Sequence, residues 1–189
     1  MDVVITLVLA FAGTNIDDIF LLMLLFAQAE GREKQRAIHA GRYLGTGVLL
    51  AISILGAYGL QFVSGQHLRL LGLVPIGLGI KAWLDYRGKK DKPDEGESTE
   101  VRRIGLLTVA LITVSAGGDN IGVYIPLFAG YGVPQLICVA VVFTVMTALW
   151  NWLGERLAGL PLIRQKIRQH KDWAVAVIFV VLGVYILFM

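Results

Sequence analysis

Apolar runs of membrane-crossing length follow one another along this 189-residue chain and limit its fold more than any other feature. A bilayer core of roughly 30 Å is crossed by about twenty mostly apolar residues in helical form, because lipid offers the backbone no hydrogen bonds. By that length the runs predict six spans: Val3 to Gln28, Tyr43 to Val63, Leu68 to Tyr86, Ile104 to Gly130, Pro134 to Leu153 and Trp173 to Met189. The third carries Arg69, Lys81 and Asp85, but near its ends, where such side chains reach water by snorkelling. Hydrophobic residues make up 56% of the chain, more than a soluble domain needs to cover one core. The expected fold class is therefore an all-α integral membrane protein with six transmembrane helices.

The basic residues give the spans a direction. Fifteen of the seventeen lysines and arginines fall in the odd-numbered connections, Arg42 among them in the first; only Arg69, at the start of the third span, lies on the other side, and Lys81 is within that span. The positive-inside rule then places the odd loops in the cytoplasm and both termini outside a cytoplasmic (inner) membrane that the chain crosses several times. Trp83, Trp150, Trp152 and Trp173 fall near the cytoplasmic ends, as an interfacial belt would. This orientation explains the net charge of +3 better than nucleic-acid binding does. The amino terminus has neither a basic leader region nor a small-residue cleavage site, so no removable signal peptide is expected. Cys138, the single cysteine, excludes an intrachain disulfide and reads as a small buried hydrophobe.

Residues 87–103 are charged and rich in helix breakers, and they read as a cytoplasmic linker between a first three-helix repeat, 1–86, and a second, 104–189. Setting each position beside the one 102 residues later aligns Asp17, Ile19, Leu25, Phe26 and Ala27 with identical residues, and Asp18 with Asn120. A second short match sets Leu78-Gly79-Ile80 against Leu182-Gly183-Val184. Three spans per half is an odd number, so homologous halves would be inverted repeats, an arrangement common in secondary transporters with discontinuous helices. Gly13, Gly117-Gly118 and Pro126 are the expected breakers. After the fifth span, Leu157, Leu160, Ile163 and Ile167 recur at helical spacing among basic residues; a short helix on an anionic leaflet and a plain loop fit equally.

Asp17 is fifteenth in a run of 26 residues and Asp119 sixteenth in one of 27, so both acids fall near the bilayer centre although their helices run oppositely. With Asp18 they make three carboxylates where charge is expensive, and the placement of the basic residues offers none of them a counter-charge at that depth. A bound cation or protons would have to balance them. On a continuous helix Thr14 shares a face with Asp17 and Asp18, Asn15 reaches Asp18, and Ser115 reaches Asp119. Carboxylate, amide and hydroxyl oxygens suit a hard or borderline divalent ion such as calcium, manganese or magnesium, and cadmium is similar in size to calcium. A divalent ion would leave one carboxylate charge over, which suits an exchange against protons. For Thr14 and Ser115, ligation and a hydroxyl bonded back to its own helix remain equal readings. Asn151, Thr144 and Thr147 are expected to serve helix contacts, and the small residues Gly41, Gly45, Gly47, Gly77 and Gly79 to allow close helix approach within the chain or in a homodimer.

The segment Thr14-Asn15-Ile16-Asp17-Asp18-Ile19-Phe20, followed after the charged linker by Gly118-Asp119-Asn120-Ile121, resembles the cadmium resistance transporter family, the CadD-type proteins of the lysine exporter superfamily. The resemblance of layout extends over essentially the whole chain. It implies a six-helix carrier, with no enzymatic activity and no cofactor, that exports a divalent metal, chiefly cadmium. It also implies that Asn15, Asp17, Asp18, Asp119 and Asn120 form the metal-transport site, with Thr14 and Ser115 in support. Two other readings stand beside it: an amino-acid exporter of the same superfamily, and an intramembrane aspartyl protease in which two midplane acids share a proton.

Overall fold

The computed structural model describes residues 3–60, 73–88, 104–158, 177, 180–182 and 184–188. Among these described residues, all regular structure is helical: α1 (Val3–Asn15), α2 (Asp18–Gln28), α3 (Arg32–Leu60), α4 (Leu73–Gly88), α5 (Leu106–Ala116), α6 (Gly118–Phe128) and α7 (Val133–Leu157). The α3 and α7 helices are each long and apolar enough to cross a membrane alone. The α1–α2 and α5–α6 pairs qualify as broken spans, bent by 61° and 66°, which brings the candidates to four. Most of the third predicted span is α4, at 16 residues, and the rest of it lies outside the described residues. Of the sixth, residues 180–182 and 184–188 are helical. The linker beyond Gly88 and the basic stretch after Ala158 are also outside the described residues.

Two boundaries differ from expectation. The second span starts at Arg32 rather than Tyr43, because a turn through Gly31, at φ 88°, lets the helix begin among the basic residues. The first span breaks at Ile16 and Asp17 rather than at Gly13, which lies within α1. In the second pair the bend is at Gly117, as expected, while α6 continues through Pro126.

Helix boundaries in the two halves correspond at the offset seen in the sequence: α1 to α5, α2 to α6, and α3 to α7. Packing is crossed between the halves. The long α3 lies against α5 and α6, while α7 lies against α1 and α2. Outward faces are apolar, with Val133, Ile137, Val141, Val145 and Leu149 exposed at four-residue intervals along α7, and Leu44, Val48, Ile52 and Leu55 along α3. Such continuous apolar stripes on long helices are surfaces for lipid.

Gly41 and Gly45 make the crossing of α3 with α5 close. A Cβ on Gly41 would come within 2.7 Å of the Val109 Cβ, and one on Gly45 within 2.5 Å of the Thr113 Cβ. These two small residues therefore serve a contact within the chain, whereas Gly47 and Gly77 face open space. Gly45→Ala is expected to destabilise the protein by about 1–3 kcal/mol through overpacking. Gly47→Ala should be close to neutral, and thermal unfolding in detergent compares the two.

Candidate functional site

Both helix breaks fall on the motifs that carry the acids. Ile16 and Asp17 form the turn between α1 and α2, so Asp18 opens α2; Gly117 forms the turn before α6, and Asp119 lies in its first turn. Each break starts a new half-helix, at whose N-terminus the helix dipole favours negative charge. Asp119 uses this directly, its carboxylate accepting hydrogen bonds from its own N–H and that of Asn120. The end of α1 packs on α6, whose Tyr124 hydroxyl reaches Thr14 and Asn15, so the two bent pairs meet beside their breaks although 102 residues separate the motifs in sequence.

Around the first break a buried polar chain ties four helices together. The Tyr124 hydroxyl, from α6, lies 2.6 Å from Thr14 Oγ1 and 2.9 Å from Asn15 Nδ2. Thr14 Oγ1 also lies 3.0 Å from the Ala10 carbonyl, so its hydroxyl is satisfied by its own helix and by Tyr124. The Arg42 guanidinium, from α3, donates through one Nη2 to Asn15 Oδ1 at 2.7 Å and to Asp18 Oδ2. Arg42 is 1% exposed. It begins some ten residues, or about 15 Å, into α3, so the helix carries it from the basic turn into the protein.

This corrects the expectation that no basic side chain reaches the acids. Arg42 belongs to a span rather than to the first cytoplasmic loop, and its charge is balanced by Asp18. The continuous-helix spacing from Thr14 and Asn15 to Asp18 is also replaced: the bend separates them, and Arg42 bridges Asn15 to Asp18 instead. Asp17 is exposed at the turn rather than buried. Asp119 is half-buried, Asn120 is buried, and Ser115 is exposed on α5. Among the described residues, no three His, Cys, Asp or Glu side chains converge in a set that could hold a metal ion.

On α7, sequence reasoning misses the role of Trp150. Trp150 is buried rather than interfacial; its Nε1 donates at 2.7 Å to the Asn15 carbonyl, which the break frees, and its ring meets Phe11 edge-on at 5.4 Å. Trp83 and Trp152 are exposed, in keeping with a belt. Thr144 bonds back to the Ala140 carbonyl at 2.7 Å, but Thr147 Oγ1 and both amide atoms of Asn151 are buried and have no hydrogen-bond partner among the described residues. They flank Trp150 on the helix that covers the first break. The Asn120 Oδ1 is likewise without a partner there. Tyr124 and Arg42 are legible in the sequence only as an aromatic in an apolar run and a base beside a loop. Trp150→Phe, which keeps the ring and removes the donor, is expected to cost about 1–3 kcal/mol of stability, read from unfolding in detergent.

Two bent helix pairs of membrane length, with polar and acidic residues at their breaks and apolar outer faces, define a helical membrane protein. The chain belongs to the cadmium resistance transporter family, whose model matches residues 11–189. The family is one of transporters, not enzymes, which leaves the protease reading without support. No curated protein and no solved structure matches the chain.

Proposed function

We propose that the protein is a secondary carrier that exports a divalent metal cation, cadmium first among them, across the cytoplasmic membrane in exchange for protons. The observation that carries this reading is the meeting of the two helix breaks, each bearing an acid, in a member of a cadmium resistance transporter family. Asp17, Asp18 and Asp119 supply charge, and Asn15 and Asn120 supply amide oxygens, with Thr14 and Ser115 in support. Asp17 is a charge in the membrane's depth on this topology, so it faces an aqueous cavity through which the ion enters. The chain crosses the membrane six times as two inverted repeats, with both termini outside; the matched boundaries and similar bends of the two halves support this arrangement. Discontinuous helices at the bilayer centre present their freed backbone groups to an ion that has lost part of its water.

Calorimetric titration of the purified protein with cadmium, manganese, calcium and magnesium tests the reading. Saturable binding of cadmium is expected. Binding of amino acids with no response to any divalent ion would instead select the other exporters of the superfamily. In proteoliposomes, cadmium flux should rise when a proton gradient opposes it, and flux indifferent to that gradient would remove the proton exchange.

A further inference from the structure

We infer that Arg42 sets the valence of the transported ion by acting as a tethered cation inside the site, an inference that rests on the metal-export reading above. The guanidinium is fully buried and reaches Asp18 and Asn15, two of the residues proposed to meet the metal. It therefore stands on oxygens that an incoming ion would use, so ion and arginine compete for them. Beside Asp18 the guanidinium cancels one carboxylate charge, whichever of the other acids meets the ion. Whatever else surrounds the cluster, Arg42 lowers its negative charge by one unit and moves its preference from a trivalent towards a divalent ion.

The attachment of the arginine suits displacement. Both of its hydrogen bonds leave from one nitrogen, Nη2, and Nε has no partner among the described residues. The Thr46 hydroxyl, one turn further along α3, is also buried without a partner there and can receive the guanidinium when an ion takes Asp18. Arginine remains charged at any working pH, so its contribution to the sum is constant. On the same helix as Arg42, His39 lies 3.5 Å from Glu155 of α7.

Competition between cadmium and terbium(III) for the purified protein tests this, with terbium luminescence as the probe. Arg42→Gln is expected to raise the terbium-over-cadmium affinity ratio by at least about tenfold, the effect of one unit charge at short range in a partly buried site. Arg42→Lys should keep the wild-type ratio. Because Arg42→Gln strands a buried carboxylate, the paired variant Asp18→Asn with Arg42→Gln is the safeguard: it removes one charge of each sign, restores the net charge of the wild type and should return the ratio to the wild-type value. A ratio unchanged in Arg42→Gln, or one in the paired variant that stays at the single-variant value, would overturn the inference while leaving export intact. Failure of the wild type to bind cadmium would instead overturn the function itself.

Discussion

Asp18→Ala is expected to destabilise the protein by about 3–5 kcal/mol, because it leaves the Arg42 guanidinium buried with no carboxylate to balance it. Arg42→Ala should cost a similar amount for the mirror reason. Making both alanine replacements at once removes the stranded charge, so the double variant should lose much less than the sum of the single losses. Unfolding of the four proteins in one detergent measures this coupling. Additive losses would mean that the pair contributes no interaction of its own.

Asp119→Asn should leave the fold in place and stop export. Asparagine has the same shape, and its amide oxygen can still accept from the N–H groups at the start of α6. What disappears is one negative charge at the meeting of the breaks. At an effective dielectric constant near 20 and a separation of about 5 Å, one charge acting on another contributes about 3 kcal/mol, which corresponds to roughly a hundredfold in affinity. A divalent ion would lose more. Cadmium uptake into inverted vesicles should therefore fall to background while the unfolding temperature changes little. Normal uptake by this variant would remove Asp119 from the site.

Much of this architecture is visible in the sequence, since membrane helices announce themselves by length and hydropathy. The positions of α3 and α7, the break at Gly117 and the correspondence between halves are all readable there. So are Asn15 and Asp18 as members of one polar centre. The sequence misleads where a residue's meaning depends on how far its helix extends. Arg42 follows Arg32, Lys34 and Arg36 and groups with them by position, but α3 begins early enough to carry it inside. Trp150 obeys the statistics of interfacial tryptophans, yet a carbonyl freed by a break on another helix recruits it. Tyr124 carries no motif, and its role arises only when α6 meets α1. A helix period cannot reveal such partnerships, because it describes one face of one element.

The crossed packing bears on how the chain comes to exist as a unit. Among the described residues, each long helix finds its main contact surface on helices from the other side of the charged linker, α3 on α5 and α6 and α7 on α1 and α2. Produced as two separate polypeptides, the halves should be degraded when made singly and accumulate when made together. During synthesis, then, the early segments must wait in the bilayer until the last of their partners has emerged.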